Sequence, residues 1–202
     1  MIEADRMETP MTDVKSTQTP RRFFGVSPGS DIDRYYEVRI AELSKKHPEI
    51  PNLSLRTPAH ITIMPPFATD DFEMVHTLAE SVALESHPFT LEFSGFDSFG
   101  TETFYLGVKR SQELNLLSHV LGERLMETVT GSREETEGKS EQTLFHPHVS
   151  LARHLTGETQ ELARQFFSRD IERHFPPVRI GDFRLYRLDG DQYVVEKIYF
   201  LE

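Results

Sequence analysis

Pro58-Ala59-His60-Ile61-Thr62-Ile63 and Pro147-His148-Val149-Ser150-Leu151 decide how this chain is read. Both run histidine, apolar, hydroxyl, apolar, and apolar residues at every second position mark a strand with one face in a core. Successive side chains of a strand alternate faces, so His60 and Thr62 point one way while Ile61 and Ile63 point into the core. His148 and Ser150 repeat this against Val149 and Leu151. Each strand therefore presents an imidazole beside a hydroxyl.

Working outward, Phe23-Phe24-Gly25-Val26 reads as a short strand, and Pro28-Gly29-Ser30-Asp31 supplies a turn and a helix start. Ile32, Tyr35, Tyr36, Arg39, Ile40 and Leu43 recur at three- and four-residue spacing, a helical stripe that Pro48 stops. A second helix is expected over about Asp70 to Ser86. Phe89, Leu91 and Phe93 alternate, as do Phe104, Leu106 and Val108, and the two sets are expected to pair as strands. Leu114, Leu117, Leu121 and Leu125 form another stripe, ending near Gly131. Ser132 to Thr143 holds no apolar residue and is expected to be a mobile, solvent-exposed connection, with its closing over a site left open. A helix around Glu158 to His174 and two strands, Val178 to Leu188 and Gln192 to Leu201 across Asp189-Gly190-Asp191, complete the chain. Strands and helices thus interleave in two halves, each with a strand, a helix and a second strand carrying a histidine, so the fold class is α+β.

Composition narrows the chemistry. The chain has 202 residues, 37% of them hydrophobic, with 15 Phe and 6 Tyr, enough for a substantial core. Residues 1–20 are polar and aperiodic and are expected to be a disordered tail, leaving 21–202 as one bilobal domain. No apolar run approaches the roughly 20 residues needed to span a bilayer, and the N-terminus lacks a signal-peptide stretch, so a cytoplasmic protein without membrane contact is expected. There is no cysteine, which excludes thiol nucleophiles, disulfides and Cys-based metal sites. A net charge of −11 disfavours long nucleic acid as a partner and favours a small ligand. A monomer is expected.

Imidazole has an unperturbed pKa of about 6.5, so two of them flanking one phosphorus can work as base and acid near neutrality. Thr62 and Ser150 can donate to non-bridging phosphate oxygens, and no metal or other cofactor is needed. Three histidines carry a hydroxyl residue two positions on. The third, His154-Leu155-Thr156, reads as structural, because Thr156 before Gly157 and Glu158 suits a helix N-cap. His146 shares the strand face of His148, where it lines the pocket or, with a third ligand from elsewhere, forms a metal pair.

At these residues the sequence resembles the two-histidine (2H) phosphoesterases, which include RNA 2′,3′-cyclic phosphodiesterases historically called 2′-5′ RNA ligases. The resemblance covers about Phe23 to Leu201. It rests on His60-Ile-Thr-Ile, on Pro147-His-Val-Ser-Leu-Ala-Arg, on their separation of 88 positions, and on the Phe-x-Leu-x-Phe strand between them. It implies two pseudo-symmetric lobes of mainly antiparallel sheet with outer helices and a cleft between them. It also implies that His60, Thr62, His148 and Ser150 are catalytic and that 2′,3′-cyclic phosphates of nucleotides or RNA ends are opened to 2′-phosphomonoesters. By analogy His148 activates water and His60 protonates the departing 3′ oxygen, with the reverse assignment open. Met64-Pro65-Pro66-Phe67 stands where many members have Phe-Leu-Gly.

Secondary candidates for substrate binding are Phe24 and Phe67, which could stack a base, together with His146 and Arg153. In an unbroken strand Arg153 falls on the face opposite His148, and only a bend brings it to the phosphate. Arg56 and Arg21-Arg22 are candidates for local positive potential. The alternatives are a hydrolase of ADP-ribose 1″,2″-cyclic phosphate or another small cyclic phosphodiester, a non-catalytic nucleotide or RNA-end binding module, and a scaffolding protein.

Overall fold

Gly29 opens the first helix with a backbone φ of 91°, a conformation that L side chains rarely adopt, and a Cβ there would lie 2.9 Å from Val178. The turn that brings the chain off its first strand therefore requires glycine. The computed structural model describes residues 20–50, 57–126 and 145–202; the expected tail, all but its last residue, the loop Ser132–Thr143 and Arg56 lie outside the described residues. Element order is β1 (Arg22–Val26), α1 (Ser30–Lys46), β2 (Ile61–Phe67), α2 (Phe72–Leu84), β3 (Phe89–Leu91), β4 (Phe93–Phe99) and β5 (Thr103–Val108). There follow α3 (Gln112–Leu125), β6 (His148–Arg153), α4 (Gly157–Phe167), β7 (Val178–Ile180), β8 (Asp182–Asp189) and β9 (Gln192–Phe200).

Local chemistry accounts for the helix starts. Asp71 caps α2 by accepting from the Met74 amide, Ser111 caps α3 by accepting from Leu114, and Thr156 forms a reciprocal capping box with Thr159 at α4. The helical stripes bury as expected: Ile32, Tyr35, Ile40 and Leu43 in α1, and Leu114, Leu117, Leu121 and Leu125 in α3. Each such leucine contributes about 1.5–3 kcal/mol of transfer free energy relative to exposure.

Seven strands form one antiparallel sheet in the order β4-β5-β6-β2-β1-β8-β9, and β3 pairs with β7 in a separate ribbon. This corrects two expectations. Of the Phe89-Leu91-Phe93 run only the part from Phe93 lies beside β5, since Phe93 pairs with Val108 while Phe89 pairs with Ile180. The strand expected over Val178 to Leu188 breaks at Gly181, its first part joining β3 and its second joining β1 and β9. Periodicity cannot show such a change of partner, because both pieces alternate in the same way. The last helix also ends earlier than expected, at Phe167, followed by a 3₁₀ turn over Ser168–Asp170.

The two halves, β1-α1-β2-α2-β3-β4 and β5-α3-β6-α4-β7-β8, have one topology. In space they exchange parts. β4 of the first half lies against β5 of the second, and β8 of the second lies against β1 of the first. The helices follow: Tyr35 and Arg39 of α1 reach Asp170 beyond α4, and Tyr35 packs on Phe96 of β4. Ser118 of α3 donates to the Ile63 carbonyl of β2, and Arg124 pairs with Glu85 at the end of α2. Each lobe is therefore built from both halves of the chain. The lobes meet where β2 touches β6, and the one register pair there is Ile61 with Val149. No described helix is long and apolar enough to cross a membrane.

Candidate active site

The Ile61–Val149 pair joins the second residues of the two histidine motifs. Carried one step either way, that antiparallel register would set His60, the residue just before β2, opposite Ser150, and Thr62 opposite His148. The two histidines then stand diagonally on one face, a relation that places Cα atoms about 7–8 Å apart. The flanking apolar residues confirm the face: Ile61, Ile63, Val149 and Leu151 are buried, while His60, Thr62, His148 and Ser150 are partly open. Among the described residues no intramolecular hydrogen bond engages the Thr62 or Ser150 hydroxyl, which leaves both donors for a ligand.

Both imidazoles are held in the same way. The His60 Nδ1–H donates to the Pro58 carbonyl and the His148 Nδ1–H to the His146 carbonyl, each at 2.8 Å. A carbonyl only accepts, so each Nδ1 carries the proton and each Nε2 is the proton-accepting nitrogen of the neutral ring. Burial pushes the His60 imidazole down to about 4, assisted by the positive charges of Arg153 and a protonated His148 and opposed by the Pro58 carbonyl. Burial also lowers His148, with His146 and Arg153 acting in the same direction and the His146 carbonyl against it. Both rings are thus neutral at pH 7.

Arg153 acts on both histidines, and the strand shows why. Tyr105 pairs with Ser150 but Phe104 pairs with Ala152, so Leu151 is an extra residue in β6, and Leu151 and Ala152 are both buried. This bulge reverses the alternation and returns Arg153 to the histidine face, correcting the placement expected for an unbroken strand. β2 has the matching feature, with Gly25 paired to Thr62, Phe24 paired to Met64 and Ile63 extra between them.

Aromatic rings wall the two imidazoles. Phe23 lies 4.7 Å and Tyr186 5.6 Å from the His60 ring, centroid to centroid, and these two stack on each other at 4.6 Å. Gly25 makes room for them: a Cβ there would lie 3.3 Å from the Tyr186 ring and 3.1 Å from the Ile61 carbonyl. Burial pushes the Tyr186 phenol up to about 12, so it stays neutral beside His60. On the other side Phe99 and Tyr105 stack at 4.3 Å and lie 4.9 and 5.2 Å from His148. Sequence reasoning missed all four. Tyr105 had a usable signal, being out of phase with the core residues Phe104 and Leu106; Phe23, Tyr186 and Phe99 had none without the register of their strands.

Other candidates fall elsewhere. Phe24 and Phe67 are both fully buried, stacked 5.8 Å apart in the core, so neither offers a face to a base. The parity of β1 explains Phe24: its neighbours Phe23 and Gly25 take the site face. Arg22 is buried in an ion pair with Glu196 and lies 3.6 Å over the Phe72 ring, so it is a structural cation. His146 is exposed beside the site, with its Nε2 3.3 Å from the Tyr105 hydroxyl. Among the described residues no group of three or more His, Asp or Glu side chains could hold a metal ion, so nothing there completes a His146–His148 pair. Thr156 caps α4, as expected of the third tripeptide.

For the acid and base roles that the resemblance implies for His60 and His148, the depressed imidazoles give a pH expectation with a definite sign. A general acid must be protonated, so kcat/KM falls as pH rises through the acid's free-enzyme value, and it falls on the acid side as the base gains its proton. Both values lie below the ordinary 6.5, which puts the maximum of kcat/KM below pH 6.5. A bound phosphate anion stabilises imidazolium, so the basic limb of kcat should lie at higher pH than that of kcat/KM. Full profiles on one cyclic phosphate check this; a kcat/KM maximum above about pH 6.5 would contradict the environment described.

Comparison with known proteins gives consistent likenesses. A family model described as the 2′-5′ RNA ligase superfamily matches residues 33–192. Among solved structures, E. coli LigT in apo form is similar at a TM-score of 0.58 and 18% identity, over 91% of this chain and 99% of that one. TT0787 of Thermus thermophilus is similar at 0.58 and 16%, over 90% and 97%. LigT complexed with 3′-AMP is similar at 0.55 and 17%, over 91% and 99%. At these identities the structures share the fold. No curated protein matches.

Proposed function

Because the chain belongs to the 2′-5′ RNA ligase superfamily, the two-histidine phosphoesterases, we propose that it hydrolyses 2′,3′-cyclic phosphates of nucleotides or RNA ends to 2′-phosphomonoesters. The single observation that carries the reading is the pair of imidazoles flanking the Ile61–Val149 bridge between two antiparallel strands, each fixed through Nδ1 with Nε2 left to react. The Nε2 of His148 takes a proton from water as its oxygen bonds to phosphorus. The phosphorus–O3′ bond breaks, and the Nε2 of His60 gives its proton to the departing oxygen. Thr62, Ser150 and Arg153 donate to the non-bridging oxygens, where charge grows in the transition state. Each turnover leaves His148 protonated and His60 neutral, so the two rings exchange proton states with solvent before the next.

The binding of 3′-AMP by LigT, a protein of the same fold, supports a nucleotide in this cleft. The test is product analysis on a panel: adenosine 2′,3′-cyclic phosphate, ADP-ribose 1″,2″-cyclic phosphate and a short RNA with a cyclic end, all with EDTA present. Ring opening of the nucleoside or RNA substrate to the 2′-phosphate is expected. Exclusive turnover of the ADP-ribose compound would move the reading to that substrate, and binding without any turnover would replace the enzyme by a binding module.

A further inference from the structure

The pseudo-symmetry of the two halves breaks at the aromatic walls. Tyr186 pairs with Phe23 in β8–β1, and Phe99 pairs with Thr103 in β4–β5, so the two rings occupy matching places beside His60 and His148. Tyr186 is 0% exposed, closed in by Phe23, whereas Phe99 is 37% exposed. Of the Phe and Tyr rings that touch either imidazole among the described residues, Phe99 alone opens to solvent; Phe23 and Tyr105 are buried as well. Its ring stacks on Tyr105 and lies nearly perpendicular to the rings of His146 and His148, at 5.0 and 4.9 Å. An apolar ring left part-bare at the rim of a polar site gains nothing for the fold by its exposed part. It is a flat surface of the kind on which a base stacks.

We propose that Phe99 is the platform for the nucleobase of the substrate, and that this enzyme therefore discriminates nucleoside cyclic phosphates from cyclic phosphates without a base. The inference rests on the cyclic-phosphodiesterase reading and sharpens it in two ways. Stacking is tolerant of base identity, since every base has a π-face, so the selectivity is for having a base, greater for the larger purines, and not for one base over another. The platform also lies on the His148 side alone. A base stacked there directs C1′ toward His148 and C4′ toward His60, which sets the 3′ oxygen next to the residue assigned as acid.

The experiment compares kcat/KM for adenosine 2′,3′-cyclic phosphate with that for methyl riboside 2,3-cyclic phosphate, which carries a methoxy group in place of the base. Wild type is expected to favour the nucleotide by about 10- to 100-fold, the range of base–aromatic stacking. Phe99→Ala should bring that ratio close to one, and Phe99→Trp should keep or raise it. The ratio is taken within each variant, so any loss of folded enzyme divides out. A ratio that survives Phe99→Ala overturns the proposal, including when both rates fall together. Turnover of neither compound by wild type would instead remove the cyclic-phosphodiesterase reading itself. Direct binding then decides the platform: tighter calorimetric binding of 2′-AMP than of methyl riboside 2-phosphate, lost in Phe99→Ala, supports it, and equal binding overturns it.

Discussion

His60→Ala and His148→Ala are each expected to lower kcat/KM for a 2′,3′-cyclic phosphate by about 10²–10⁴, the usual worth of a positioned general acid or base. The two losses should not add. On the proposed mechanism the acid and the base serve one transition state, so the double variant should be little worse than the more damaging single one. Fold damage must be separated from chemistry at His60, whose ring packs on Phe23 and Tyr186. His60→Gln fills most of that space without a titrating nitrogen, so it should be as inactive as alanine while unfolding at nearly the wild-type temperature. The pH profile adds a second readout: a variant lacking the base should lose the acidic limb and one lacking the acid the basic limb. If either alanine variant kept more than about a tenth of wild-type kcat/KM while folded, that histidine would have no acid–base role.

Thr62→Ala and Ser150→Ala carry the next largest effect, each expected to cost about 10²–10³ in kcat, the loss found when one donor to a developing oxyanion is removed. The basis is structural. Both hydroxyls share the face of the imidazoles, and among the described residues neither is committed to a partner within the protein. A phosphodiester carries one negative charge before the reaction, and its non-bridging oxygens gain more as water adds. A donor aimed at them is therefore stronger in the transition state than in the ground state. Thr62→Ser and Ser150→Thr keep the hydroxyl and should restore most of the rate. A rise in KM with kcat unchanged would assign the hydroxyls to ground-state binding only.

Four helices, most strands and the histidine–hydroxyl pairs were legible because they depend on local spacing. The Leu114 stripe, the cap at Thr156, and the alternation through Ile61 and Ile63 are properties of a few consecutive residues. The choice of Phe24 over Phe23 shows where this stops. Alternation separates the two onto opposite faces, but which face meets His60 depends on the β1–β2 register, set by residues some forty positions apart. Arg153 shows the same limit from another side. One bulged residue, Leu151, reverses every side chain after it, and a bulge has no period by which to be read.

What the sequence determined alone was the chemistry on offer: two strands each carrying an imidazole and a hydroxyl on the face away from the core, with no thiol to compete. The fold decided that these strands touch, at Ile61 and Val149, and that Phe99 remains open beside one histidine while Tyr186 is closed in beside the other. The physical reason is one of range. A side chain's face follows from its immediate neighbours, whereas strand order and the packing of rings from β4, β5, β1 and β8 follow from how the whole chain buries its apolar surface.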